Sequence, residues 1–448
     1  MYRQFRKYFS PLAIALLAAA GYSGCLVVDN PYSGLPPGPW RGVLELDPRP
    51  VTSNPQAKPL PGNESLAFEE VTEGELPFNF EVRYENGQDF YIELINGKER
   101  IRVDDITIGR DRSTAKDTVV IRFPAYDAYI RAIFEENIME GEWVGASYQQ
   151  NIPFVARQGQ AHRFTTLRKT PAMDISGRWE ATLGISGRQP FKAIAEFRQD
   201  GNHLEGTFQD ETGTYGLLEG SVQANKFYLS RFDGADAFLV EGKIQDDGSL
   251  IGSFRSGRTE KLLWEARRNT EFQLPLPDKL TTIRPEYEGR KFIAGPGEKP
   301  LFTPDSPQYN NKAVIVQAMG AWSPRSRAET EFLSDYLKQH PGGEIEVLAL
   351  AFERHENADK AKKAVQAFIK EMAPPYEVRY AGIADEATAR HVFPMIDSLR
   401  VYPTLFFIGR DGQLKRVYTG FAGPESSSFD AFRQEFDSYI NQLLNEQQ

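Results

Sequence analysis

The chain has 448 residues, a formal charge of −10 and an isoelectric point near 5.3, so two or three domains are expected and a nucleic-acid backbone is a poor partner for so acidic a surface. Apolar residues make up 40% and charged residues 25%, the balance of a globular protein that buries substantial cores. Phe and Tyr are abundant, at 30 and 19, which suits β-rich structure.

Arg3, Arg6 and Lys7 precede the apolar run PLAIALLAAA, and small residues lead to Ser23-Gly24-Cys25. A cationic start, an apolar stretch too short to span comfortably and a small-residue processing site read as a signal peptide over 1–24. Tyr22-Ser23-Gly24-Cys25 resembles the bacterial lipobox, with Tyr22 where Leu is usual. The resemblance implies that Cys25, the single cysteine of the chain, is the lipidated first residue of the mature protein. No later segment reads as apolar enough to cross a membrane. The remainder is therefore expected outside the cytoplasm, in a bacterial cell envelope, held to the membrane by a lipid. Residues 25–36, with the Pro/Gly-rich stretch NPYSGLPPGPW beginning at Asn30, read as the tether and spacer.

From Trp40 to about Arg268 the sequence reads as strands. Alternating runs such as FNFEVRY, DFYIELI, KERIRV, DTVVIRF and AYIRAIF are punctuated by Asn86-Gly87, Asn96-Gly97, Asp200-Gly201 and Asp247-Gly248, the chemistry of tight hairpin turns. An internal repeat runs through this half. PWRGVLEL around Trp40 matches GRWEATLGI around Trp179; PFNFEVRYENG (77–87) matches PFKAIAEFRQDG (190–201); GEWVGAS (141–147) matches GSFRSG (252–257); PFVARQ (153–158) matches LLWEARR (262–268). Two related antiparallel β-units are expected, at 37–165 and 174–269, as two small barrels or sandwiches or as two halves of one. Trp40 and Trp179 are expected inside their units.

A Pro/Gly-rich linker over 270–286 breaks the pattern, and beyond it the period changes. AVIVQAM and EIEVLALAF read as buried strands, followed respectively by the amphipathic helices SRAETEFLSDYLKQH, with Phe332, Tyr336 and Leu337 on one face, and DKAKKAVQAFIKEM. YEVRYAG, TLFFIGRDG and LKRVYTGF read as strands and SFDAFRQEFDSYINQLL as a closing helix. Strands alternating with helices give an α/β layer with a partly parallel sheet over 287–448.

At Ala-Val-Ile-Val-Gln-Ala-Met-Gly-Ala-Trp-Ser-Pro-Arg-Ser-Arg-Ala-Glu (313–329), with Val401-Tyr402-Pro403-Thr404-Leu405-Phe406-Phe407-Ile408 and Arg410-Asp411-Gly412 downstream, the chain resembles TlpA/ResA-type thioredoxins. Those are tethered extracytoplasmic thiol–disulfide oxidoreductases with a Trp-Cys-x-x-Cys motif. The resemblance implies a thioredoxin-like domain in which Ser323 holds the nucleophilic cysteine's place, Ser326 the resolving cysteine's, and Pro403 that of a cis proline beside the substrate. A thiolate is the nucleophile in that chemistry and an alcohol is not. No catalytic residue is therefore expected, and Ser323 and Ser326 are degenerate positions.

What the resemblance leaves is a groove formed by Trp322, Pro324, Arg325, Tyr402 and Pro403, expected to hold a protein or peptide partner of the envelope. Two other roles stay open: exchange that uses a partner's thiols, and ligand binding by the β-units with the thioredoxin-like domain as scaffold. The serines also have a structural reading. Ser323 suits a helix N-cap with Pro324 at the first helical position, and Ser326-Arg327-Ala328-Glu329 fits a capping box. A further option is that the helix N-terminus with Arg325 or Arg327 binds an anion. Cysteine restored at 323 and 326 is expected to give disulfide reductase activity. No Gly-x-Ser-x-Gly elbow, Walker loop, dinucleotide fingerprint or zinc spacing of the five histidines occurs, so no cofactor or metal is expected.

Overall fold

The structure is a computed structural model that describes residues 34–46, 72–145, 151–258, 260–296 and 298–445. The signal peptide, Cys25 and all but the last three residues of the spacer lie outside the described residues. Three sheets are built in chain order, so the protein is multidomain and β-rich, with an α/β part in the last third.

The first sheet has nine antiparallel strands, β1 to β9: Gly38–Glu45, Glu75–Tyr84, Phe90–Asn96, Glu99–Val103, Ile106–Arg110, Asp117–Phe123, Ala128–Glu135, Ile138–Gly145 and Ile152–Gln158. β1 pairs with both β2 and β9, and the meander stays open between β4 and β5. The second has β10 to β18: Gly177–Leu183, Phe191–Asp200, His203–Asp210, Gly213–Thr214, Leu218–Gln223, Lys226–Phe232, Ala237–Ile244, Leu250–Ser256 and Glu260–Arg268. Here β10 pairs with β11 and β18, and β11 pairs on to β12, so eight strands close a barrel and the two-residue β13 lies outside the ring.

Residue pairing makes the repeat visible in three dimensions. Trp40 stands opposite Gln158 and Gly42 opposite Ala156; Trp179 stands opposite Arg268 and Ala181 opposite Ala266. Each indole N–H donates to the carbonyl four residues earlier, Trp40 to Pro36 at 3.1 Å and Trp179 to Ile175 at 2.9 Å, and both rings are buried. Gly141 and Gly252 are equivalent as well, and a Cβ at either would lie within 2.0 Å of the neighbouring strand's carbonyl, Arg131 O and Glu241 O. One match shifts: the strand registers align Phe78 with Ala193 rather than with Phe191. Gly97-Lys98 and Gly201-Asn202 are two-residue turns, with both glycines at φ +57°. Asn86-Gly87 and Asp247-Gly248 sit in longer loops, closed by Glu85 N–H to Asp89 O and Gln245 N–H to Ser249 O.

The two units share a core. Along β15, Phe227 and Leu229 point into the barrel, while Tyr228 and Phe232 pack with Trp40, Phe78 and Trp143 of the first sheet. The open half-barrel thus wraps the outer face of β15 and β16. A strand buried on both faces needs apolar residues on both, which Phe227, Tyr228, Leu229 and Phe232 supply, while the buried Ser230 and Arg231 are satisfied by Arg163 and by Glu99 and Asp233. Arg163 and Asn96 stitch the seam through Ser230 O (3.1 Å) and Phe232 O (3.0 Å).

The third sheet orders its strands β21-β20-β19-β22-β23, with ranges Glu377–Ile383, Ile345–Glu353, Ala313–Met319, Thr404–Ile408 and Leu414–Thr419. β19, β20 and β21 are parallel and β22 and β23 antiparallel, the arrangement of a thioredoxin-like fold. Helices α1 (Pro324–Gln339), α2 (Ala358–Met372), α3 (Glu386–Val392) and α4 (Ser428–Asn445) cover it. Ala313 and Ile315 face α1 and α4, and Val314, Val316 and Ala318 face the opposite core with Phe292, Phe302 and Val392. Thr281 to Arg284, within the expected linker, already bind this domain: Arg284 N–H donates to Met395 O and its Nε to Ile396 O.

Candidate functional site

The end of β19 carries Gly320-Ala321-Trp322 into α1. Ser323 is extended (φ −99°, ψ 117°) and is the N-cap, with Pro324 at the first helical position. Its Oγ accepts from Ser326 N–H at 3.3 Å and donates to Tyr402 O at 3.3 Å. Ser326 Oγ accepts from Gly320 N–H at 3.3 Å. The Tyr402–Pro403 bond is cis, and the Ser323 bond to Tyr402 O sets the serine turn against this proline. Ser323 is 4% exposed and Ser326 fully buried. Of the two capping schemes, the one on Ser323 forms. Glu329 does not reach back to close a capping box, because it lies buried and bonds Gln317 instead.

Trp322 forms the flank toward β20. Its Nε1 donates to Phe352 O at 2.9 Å, its ring meets Tyr402 edge to face at 5.9 Å, and the Arg354 guanidinium lies 3.6 Å over it. Beneath are two buried carboxyls. Glu353 accepts from Ala321 N–H at 3.0 Å, and burial pushes its carboxyl up to about 7 against the pull of that bond and of Arg354. Glu329 accepts from Gln317 Nε2 at 2.9 Å, and burial pushes it up to about 8. The sequence reading took Glu329 for a capping-box partner and passed over Glu353, although one signal was available: Gln317 is a lone polar residue inside an apolar strand. The folded protein holds the Glu329 proton to higher pH than the unfolded chain, so stability falls as pH rises from about 4.5 toward 8. Glu329→Gln should remove that slope, about 1.4 kcal/mol per pH unit at most, and should raise the melting temperature at pH 8 while changing little at pH 5. Parallel melting curves for both proteins across this range would contradict the burial argument.

The opposite flank is closed by the barrel. Arg325 Nε donates to Thr214 O at 2.6 Å and Nη1 to Thr212 Oγ1 at 2.8 Å, with the guanidinium 4.8 Å over the Tyr215 ring. Gly213 and Phe421 form a parallel bridge, Thr214 N–H donates to Phe421 O at 3.2 Å, and Gly423 N–H donates to Thr214 Oγ1 at 3.2 Å. Gly420, whose N–H bonds Pro403 O, lies so close that a Cβ would sit 2.6 Å from Thr212 O. Arg327 pairs with Glu371 and covers Tyr126 of the first unit at 5.4 Å. The structure therefore brings Trp322, Ser323, Ser326, Tyr402 and Pro403 together, but Arg325 turns away to grip the chain's own barrel. Both serine hydroxyls and both arginines have partners inside the protein, so an anion at this helix N-terminus would have to compete with them. A cavity of about 480 Å³ adjoins this junction, lined in part by Tyr215, Arg231, Asp236, Arg325 and Phe332.

No known protein-family model matches the chain, and no curated protein matches it in sequence. Solved structures similar to part of it include a thiol:disulfide interchange protein of the thioredoxin family from Chlorobium tepidum TLS, at 21% identity over 35% of this chain and 99% of that one, TM-score 0.26. A secreted disulfide oxidoreductase from Mycobacterium tuberculosis matches at 19% identity over 34% and 96%, TM-score 0.24. A thiol-disulfide oxidoreductase from Bacteroides fragilis NCTC 9343 matches at 13% over 32% and 96%, TM-score 0.23.

Proposed function

We propose that this is an extracytoplasmic, lipid-anchored protein related to the TlpA/ResA type, whose thioredoxin-like domain has given up dithiol exchange and acts by non-covalent binding of a protein segment. The observation that carries the reading is the serine turn: Ser323 and Ser326 face the cis Pro403 in a chain whose single cysteine is Cys25. An alcohol stays protonated where a thiol at a helix N-terminus ionises, and two alcohols cannot couple as a disulfide. If Cys25 carries the lipid, the mature protein has no free thiol. The serines instead fasten the turn, Ser323 to Tyr402 O and Ser326 to Gly320 N–H.

Thiol titration of the protein extracted from membranes tests this reading. The denatured mature protein should show no titratable thiol and should partition into detergent, and Cys25→Ala should leave the detergent phase or remain unprocessed. One free thiol per chain, or equal partitioning of both forms, would remove the lipid anchor and return a reactive sulfur to the mature protein.

A further inference from the structure

We infer that the edge formed by Arg325 and Gly420–Gly423 is a surface for an extended, glycine-centred peptide, filled in this chain by its own Thr212–Tyr215, and that a partner bearing such a segment engages by displacing it. The inference rests on the non-covalent reading above and names the chemistry of the segment bound.

Four observations carry it. The contact is strand-like: the Gly213–Phe421 bridge and the Thr214 N–H to Phe421 O bond are main-chain pairing, which supplies affinity largely independent of sequence. Selectivity comes from the middle of the segment. Gly213 sits at φ +126°, and a Cβ there would lie 2.4 Å from Phe421 O, so neither the conformation nor the space admits a side chain. Arg325 then reads what flanks the glycine, a hydroxyl before it (Thr212 Oγ1), a carbonyl after it (Thr214 O) and an aromatic face (Tyr215). Finally, the barrel ring closes without the segment. β13 pairs only with Gln209 and Asp210 at the end of β12, while β12 bonds β11 and β14 without it, so the segment can leave with the ring closed, giving up the Thr212 and Tyr215 bonds to Asp210 and the packing of Tyr215 on Phe238 and Phe254. The cavity beside it, lined by Phe238, Phe332 and Phe421 together with Arg231, Asp236 and Glu331, gives an incoming side chain room of mixed apolar and charged character.

The experiment uses the full chain and a labelled synthetic peptide, FQDETGTYGL, the sequence of 208–217. Gly213→Val should expel the native segment. The peptide should then bind the variant at least about tenfold more tightly than the wild type, by fluorescence anisotropy, and a peptide with Val at the glycine should bind neither. Thr212→Ala with Thr214→Ala removes both hydroxyl contacts without steric strain, keeps the surface intact, and should open it to the peptide in the same sense. Equal binding to all proteins, equal binding of the Val peptide, or no binding to either folded variant would overturn the inference. Thiol content and reductase activity are separate readouts, so failure here and failure of the non-redox reading are distinguishable.

Discussion

The double variant Ser323→Cys/Ser326→Cys should form a disulfide yet reduce insulin slowly until Gly213→Val is added. Position 323 is the N-cap of α1 and position 326 lies one turn in, already joined by a 3.3 Å contact between Ser326 N–H and Ser323 Oγ. Two sulfurs at this spacing are in bonding range, and the helix N-terminus favours the thiolate. Access is the obstacle. Ser323 is 4% exposed, and the Gly420–Gly423 flank is occupied by Thr212–Thr214. Expelling that segment should raise the reduction rate on the order of tenfold, a barrier change of about 1.4 kcal/mol. A double variant as fast as the triple would show that the barrel does not gate the turn. A double variant that folds without closing its disulfide would show that the serine turn has diverged from dithiol geometry.

Phe232→Ala should destabilise the protein by about 3–5 kcal/mol, the range for a large aromatic removed from a core. The ring is fully buried and meets Phe78 at 4.4 Å, Trp143 edge to face at 5.2 Å and Phe123 at 5.8 Å. It belongs by sequence to the barrel and by packing to the half-barrel, so the loss should fall on the first unit. Denaturant titration followed by tryptophan fluorescence should show that unit unfolding before the barrel and the α/β domain. A loss below about 1 kcal/mol would contradict the shared core.

The helices and buried strands of the last third were legible because their periods are strong and local. Phe332, Tyr336 and Leu337 do line one side of α1 against Phe432 and Phe436, and AVIVQAM, apolar but for Gln317, is buried on both faces. The repeat was legible because Trp40 and Trp179 occupy one register in two sheets. How the units meet was not, since the outward face of β15 reads the same whether a second sheet or a partner covers it. Nor was the docking of Thr212–Thr214, where a Gly between two threonines looks like any hairpin loop until Phe421, more than two hundred residues later, is placed against it. Arg325 was read as a groove residue for the same reason: its charge is visible in sequence and its partner is not.

Insulin reduction by the unaltered protein tests the central claim, that oxygen at 323 and 326 has ended dithiol exchange while the turn and cis proline persist. With dithiothreitol as reductant, the wild type should give the rate of the blank, alongside the cysteine-restored variant as positive control. A rate above the blank that disappears in Ser323→Ala would place chemistry at the serine turn and contradict the account.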